Sequence, residues 1–302
     1  MNYRHAYHAG NFADVLKHVV FALVLEYMKR KAAPFRVIDT HAGAGGYALT
    51  SPQAEKTGEW QGGIARLMGP DAKPLPPSAA LPLQPYLEVV RRHNRGDALA
   101  AYPGSPAIAL GLMRPQDTLI ANELHPEERM LLQAAVGGDS RAKLMTLDAW
   151  VALKALLPPP ERRGVVLIDP PFEAKDEFDR LATGLAQGLQ RFATGVYIVW
   201  YPIKDTKPVA RFHAELATLA IRKVLRVEIM LQRPCDPDRL NGCGVVVVNP
   251  PYTLEGQLAA VLPQLGRRLA SAGTRSNYRL DCIDPSHTGA ESEAKRRMRT
   301  RP

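Results

Sequence analysis

Cysteine is scarce in this chain: only Cys235, Cys243 and Cys282 occur among 302 residues. They are too few and too scattered for a disulfide framework or a C-x2-C zinc site, so reduced thiols in a cytoplasm are expected. No run of about 18 apolar residues is available to span a bilayer. The opening carries His5, His8 and Asp14 instead of the basic-then-apolar order of a secretion signal. A soluble, cytoplasmic protein with no membrane attachment is the expectation. The full G-x-G-x-x-G spacing is missing as well, because Gly43 and Gly45 are followed by Gly46 and Tyr47. That disfavours a dinucleotide and suits a ligand with no pyrophosphate. The spacing of His5, His8, His18 and His41 matches no zinc or iron pattern, so no metal is expected. Acidic residues are outnumbered, 30 Asp and Glu against 39 Lys and Arg, for a net charge of +9. The excess favours a polyanionic partner, although part of it lies in the last residues, Lys295 to Arg301.

What is present centres on Val165-Val166-Leu167-Ile168-Asp169-Pro170-Pro171-Phe172. Four consecutive aliphatics suit a strand buried on both faces, as in a parallel sheet. Asp169 ends the run, and the prolines forbid its continuation as an interior strand. The resulting turn is stiff and rich in acceptors: the Asp169 carboxylate, the Pro170 carbonyl and, beside them, the ring of Phe172. An exocyclic amine brings two N–H donors and a purine brings a stacking face, so such a turn can hold an adenine.

The pattern elsewhere alternates. A helix is expected over about Phe12–Lys31, with Lys17 and His18 near its start, where cations oppose the macrodipole and add nothing to helix stability. Arg36–Thr40 reads as the first strand and runs into the Gly43 and Gly45 loop, where backbone can approach a cofactor closely. Thr50 to Gln116 reads as an inserted helical subdomain, with a proline-rich piece from Pro70 to Pro85 between helical stretches around Glu59–Leu67 and Tyr86–Arg95. Strands follow at Thr118–Asn122, Lys143–Leu147, Val165–Ile168 and Val196–Tyr201, with helices between them. Val224–Leu231 and Val245–Val248 have no room for a crossover helix and must be antiparallel. The expected architecture is therefore α/β, an open, mostly parallel sheet with one antiparallel strand, as in class I (Rossmann-like) S-adenosyl-L-methionine (AdoMet) methyltransferases. The organisation expected is 1–49 as the opening motif, first helix and start of the methyltransferase domain, 50–116 as the insertion, 117–275 as its remainder and 276–302 as a disordered basic tail.

In such sheets ligands bind at the carboxyl ends of the parallel strands. Four successive strands deliver Asp39 with His41 and the glycines, then Glu123, Asp148 and Asp169 to one rim. Each acid alone could merely cap a helix; four in this order point to a site. Asn249-Pro250-Pro251-Tyr252 offers a second Pro-Pro-aromatic turn. It follows the last strand, so an antiparallel strand would carry it to the opposite rim and leave it a structural role.

These motifs, with Tyr3-Arg4-His5, His8-Ala9-Gly10-Asn11, Ala13-Asp14-Val15-Leu16-Lys17-His18, Asp39-Thr40-His41-Ala42-Gly43-Ala44-Gly45, Tyr102-Pro103-Gly104-Ser105-Pro106, Glu123-Leu124-His125-Pro126 and Arg191-Phe192-Ala193-Thr194-Gly195, resemble the RlmJ-type 23S rRNA (adenine-N6)-methyltransferases. The resemblance runs to about Leu262. It implies AdoMet bound by His18, His41, Ser105, Glu123, Asp148 and Asp169, with Asp169 catalytic and Tyr3, His5 and Lys17 on the RNA side. Phe172 departs from the family's usual Tyr, and Ala149 stands where Gly is usual.

The expected reaction is methyl transfer from AdoMet to the N6 amine of an adenine in 23S rRNA, by a protein expected to be monomeric. Asp169 and the Pro170 carbonyl would accept the two amine N–H bonds and aim the nitrogen lone pair. Phe172 would stack on the extruded base, and Lys17 would meet a phosphate. A DNA adenine-N6 methyltransferase and a non-catalytic RNA-binding protein on the same fold are the alternatives.

Overall fold

The first helix, α1 (Phe12–Met28), begins where Asn11 Oδ1 accepts the N–H groups of Ala13 and Asp14. It is enclosed on nearly every side, and even Asp14, Lys17 and His18 are buried. The computed structural model describes residues 4–94, 96, 98–219, 221, 223–232, 239–270 and 277–283. After α1 the chain forms β1 (Arg36–Asp39), β2 (Gly46–Ala48), α2 (Pro52–Thr57), α3 (Ala65–Met68), α4 (Pro77–Arg92), β3 (Ala101–Pro103), α5 (Ser105–Leu112), β4 (Thr118–Asn122), α6 (Pro126–Val136) and β5 (Ala142–Met145). The second half continues with α7 (Ala149–Leu156), β6 (Gly164–Ile168), α8 (Glu177–Arg191), β7 (Val196–Ile203), α9 (Thr206–Thr218), β8 (Val224–Met230), β9 (Gly242–Val248), α10 (Leu254–Leu269) and β10 (Asn277–Cys282).

Eight strands form one sheet in the order β10-β8-β9-β7-β6-β1-β4-β5. β5, β4, β1, β6 and β7 pair in parallel. From β1 the chain winds outward to β4 and β5, then returns to β6 and β7 on the other side. That reversal opens a crevice at the carboxyl ends of β1, β4 and β6. β6 is buried along its whole length, and alternate residues serve opposite faces. Val165 and Leu167 join the core under α1, α4, α5 and α10, while Val166 and Ile168 join the core under α7, α8 and α9. Each such enclosed aliphatic contributes about 1.5–3 kcal/mol.

Three departures from expectation have physical reasons. First, two strands run against the parallel set. β9 lies between β7 and β8, antiparallel to both, and β10 pairs antiparallel with the outer edge of β8. Asn277–Cys282 is thus a strand and not the start of a tail. Its mostly exposed, mixed residues gave no buried-strand signal; residues 284–302 lie outside the described set. Second, α4 runs through the proline-rich piece. Pro77 occupies its first turn, where no N–H is needed, and Pro82 and Pro85 sit inside it. Leu83, Tyr86, Val89 and Val90 are buried in the cluster that α4 shares with α1, α5 and α10, and this packing offsets the lost backbone bonds. Third, the inserted segment shares one hydrophobic cluster with α1 and the sheet, and α5 packs on β1 and β4.

Candidate active site

The crevice is a cavity of about 890 Å³. Elements far apart in the chain line it: the opening turn and α1, the loop after β1, the start of α5, and the residues that follow β4, β5, β6 and β7. Among the sequence-expected residues, His5, Lys17, His18, His41, Gly43, Ser105, Glu123, Asp148, Asp169, Pro170 and Phe172 line this one cavity.

α1 supplies its most constrained corner. Asp14, Lys17 and His18 share a helix face at i, i+3 and i+4 spacing. Lys17 Nζ donates to Asp14 Oδ1 at 2.8 Å and to Asp169 Oδ2 at 2.5 Å. Asp14 Oδ2 accepts from the Gly10 N–H at 2.9 Å and pairs with His5 Nε2 at 2.8 Å. Burial pushes the Asp14 carboxyl up, but the charges of His5 and Lys17 outweigh it and hold the group well below the usual carboxylate range. Burial likewise pulls the Lys17 ammonium down, and Asp14 and Asp169 outweigh it and hold the group well above its usual range. His18 is pushed well down by burial and by the Lys17 charge, so it is a neutral imidazole. Its Nδ1 meets the Tyr102 hydroxyl at 2.7 Å, while its Nε2 is buried with no hydrogen-bond partner among the described residues.

Lys17, expected on the RNA side, lines the cavity with a side chain 5% exposed and bonded to two carboxylates. Asp14 is the residue that sequence reasoning left without a role; its i, i+3 relation to Lys17 is the signal that marks it. Tyr3 lies outside the described residues.

The loop after β1 folds around glycine. Gly43 has φ +60°, and a Cβ there would lie 2.3 Å from the Tyr47 hydroxyl. Its N–H donates to Glu123 Oε2 at 2.8 Å, while Glu123 Oε1 accepts the His125 N–H at 2.7 Å. Gly45 does not line the cavity: its carbonyl accepts the Gly104 N–H at 3.0 Å, holding the start of α5 against the loop. Ser105 Oγ donates to Asp39 Oδ2 at 2.6 Å. Burial raises the Asp39 carboxyl to about 7, against the opposing bond from Ser105. Burial also lowers His41 to about 4, although Asp169 and Asp148 pull the other way. Asp148 caps α7 through Oδ1 and lies 3.8 Å from Arg180 through Oδ2.

Asp169-Pro170-Pro171-Phe172 follows β6 as expected. Asp169 Oδ2 takes Lys17, and Oδ1 has no hydrogen-bond partner among the described residues. Phe172 is held at φ +51°, unusual for a residue with a bulky side chain, with its ring edge-on to Phe178 and Trp200 at 4.9 and 5.9 Å. The second Pro-Pro turn is at the other rim. Val248 pairs with Tyr197, at the start of β7, so β9 delivers Asn249 away from the cavity. Asn249 Nδ2 donates to the carbonyls of Ala193 and Gly195, both at 2.8 Å. Among the described residues, no three His, Cys, Asp or Glu are grouped to hold a metal, and no helix is long and apolar enough to cross a membrane.

The chain as a whole is similar to several known proteins. Residues 32–281 match the family model described as ribosomal RNA large subunit methyltransferase D, RlmJ. The chain is 45% identical over 274 residues to ribosomal RNA large subunit methyltransferase J of Escherichia coli, covering 91% of this chain and 96% of that one. It is 41% identical over 286 residues to the protein of the same name from Haemophilus influenzae, covering 94% and 99%. A crystal structure from Legionella pneumophila superposes with a TM-score of 0.82 at 33% identity, covering 91% of this chain and 98% of that one.

Proposed function

The chain belongs to the RlmJ family of large-subunit ribosomal RNA methyltransferases, and from that premise we propose that it methylates the N6 amine of an adenine in 23S rRNA. The observation that carries this reading is the Asp169-Pro170-Pro171-Phe172 turn in the cavity, with one Asp169 oxygen bound by Lys17 and the other without a hydrogen-bond partner among the described residues. An N6 amine presents two N–H donors, and the turn presents the Asp169 Oδ1 and Pro170 carbonyl acceptors. Accepting both N–H bonds draws the amine out of conjugation with the ring and orients its lone pair. Lys17 and Asp14 fix the Asp169 carboxylate, so Asp169 orients by hydrogen bonding and need not act as a strong base. Phe172 offers the ring face against which the extruded base rests.

The cavity fits AdoMet as methyl donor, since the neutral His18 lines it and its buried Nε2 has no hydrogen-bond partner among the described residues. AdoMet supplies a methyl group already activated on a sulfonium, so alignment is the main demand on the protein. Glu123 and Asp148 would hold its hydroxyl and amine donors, because a carboxylate has about four lone-pair sites and each keeps capacity beyond its backbone bonds. His41 and Ser105 would complete the pocket, and Gly43 would let backbone approach. An rRNA substrate puts the enzyme in the cytoplasm.

Unmethylated 23S rRNA incubated with the protein and methyl-labelled AdoMet, followed by nuclease digestion and mass spectrometry, tests the reading. N6-methyladenosine from wild type and none from Asp169→Ala is the expected result. Label in another nucleoside, or in DNA alone, overturns it.

A further inference from the structure

Trp200, Pro202 and Lys204 all line the cavity, whereas Tyr201 and Ile203 between them belong to the core on the opposite face. This is the period-two alternation of a strand carried past its neighbour. Ile168 pairs with Val199, so Asp169 stands level with Trp200. The run from Tyr201 to Lys204 then rises ~13 Å above it, at ~3.3 Å per residue. β9 reaches the same height, because Ile203 pairs with Gly242, and the chain entering β9 brings Arg239 to the cavity as well.

The top of this wall is built. Asn241 is fully buried, and its backbone N–H donates to the Ile203 carbonyl at 3.2 Å. Its Nδ2 donates to the carbonyls of Lys204 at 3.0 Å and Arg239 at 3.1 Å, and its Oδ1 accepts from Gln232 Nε2 at 2.7 Å. Lys204 and Arg239 are exposed, and neither side chain makes an ion pair among the described residues. The other lysine and arginine of the cavity are committed. Lys17 is held by Asp14 and Asp169, and Arg180 lies near Asp148 and Glu177 and over the ring of Trp150.

From floor to rim the wall reads aromatic, apolar, cationic. A nucleotide reads base, sugar, phosphate over a comparable span. We infer that Lys204 and Arg239 bind the phosphates of the target nucleotide, whose base lies at the floor beside Phe172 and Trp200 and whose sugar runs along Pro202. The inference rests on the reading of the chain as an RNA adenine methyltransferase, and it supplies the phosphate contact that the enclosed Lys17 does not. Phosphate contacts position the strand and carry no base information, so these residues set affinity and register while the turn after β6 selects the amine.

Lys204→Ala and Arg239→Ala, singly and together, test this on an unmethylated 23S rRNA transcript. Each single change is expected to raise KM for RNA about tenfold, the equivalent of one good contact, with kcat within about twofold and AdoMet affinity unchanged. The plot of log RNA affinity against log salt should become shallower by about 0.7–0.9 per variant. Lys204→Arg should restore most of the affinity, and Lys223→Ala, on the opposite rim, should leave the slope at its wild-type value. Wild-type transfer with variants that keep its KM and salt slope overturns the inference and leaves the functional reading standing. A fall in kcat with KM unchanged also overturns it, since the residues would then act on the chemistry. Absence of methyl transfer to RNA by the wild type is the separate result that defeats the functional reading itself.

Discussion

At Lys17 an ammonium lies between Asp14 and Asp169 in a corner nearly closed to water. Replacing it with methionine leaves the enclosed Asp14 with His5 as its one remaining bonded counter-charge, and breaking a buried pair of this kind costs about 3–5 kcal/mol. Lys17→Met should therefore unfold at markedly lower urea concentration and lose transfer, while the salt dependence of RNA binding stays as in wild type. Asp39 gives a pH signature. Its folded carboxyl titrates at about 7 against a reference of 3.8, so between those values the folded state holds a proton that the unfolded state has lost. Its contribution to stability accordingly falls as pH rises through that window, by up to about 1.4 kcal/mol per unit. Asp39→Asn should remove that slope, read by denaturation at pH 5 and pH 8. Glu123 joins two roles, tying Gly43 and His125 by their N–H groups and facing the cavity. Glu123→Ala should weaken AdoMet binding by about 1.5–3 kcal/mol in calorimetry, the range for a hydrogen bond to a charged group.

Between elements, strand direction separates two similar turns. Asn249 closes the turn after β9 with two side-chain bonds across to the loop before β7, at φ +52°. Asn249→Ala should cost about 1–3 kcal/mol of stability and leave transfer intact, whereas Asp169→Ala should abolish transfer in a protein that still melts cooperatively. Much of this was legible from residues alone. The aliphatic run of β6 and its Pro-Pro stop admit few other readings, and Asp39 at the end of β1, Glu123 after β4 and Asp169 after β6 fall at strand ends by simple alternation. Local pattern says less where tertiary packing decides. α4 passes Pro82 and Pro85 because its apolar face meets α1, and nothing near those prolines announces that. β2 and β3 are three residues each and exist only through pairing with one another. The commitment of Lys17 to Asp169 joins positions 152 residues apart, a pairing that local sequence spacing does not announce.

Across the whole molecule, the sheet joins two kinds of construction, a parallel half that carries the methyl-transfer corner and an antiparallel end whose β8–β9 connection adds Arg239 to the cavity wall and whose outer edge, β8 and β10, braces it. Arg226 on β8 donates to both Asp281 oxygens on β10 at 2.8 Å and lies 3.0 Å from His213 of α9. Burial holds His213 down at about 3, so it meets Arg226 as a neutral acceptor. Asp281→Ala removes the only carboxylate hydrogen-bonded to Arg226 among the described residues. It should lower the melting temperature while leaving AdoMet affinity unchanged, a pairing of readouts that separates brace from cavity. β10 escaped the sequence because its partner surface is an edge, where polar residues serve as well as apolar ones. The sheet order also bears on the sequence of synthesis. β8 leaves the ribosome before either of its neighbours exists, since β9 and β10 both follow it in the chain. Until β9 slots in beside β7, an apolar strand with two bare edges waits in the nascent protein. An mRNA broken between the codons for β8 and β9 therefore yields a product that already contains Lys17, Asp169 and every other residue of the methyl-transfer corner, yet is sticky, and its fate is decided by chaperone and protease.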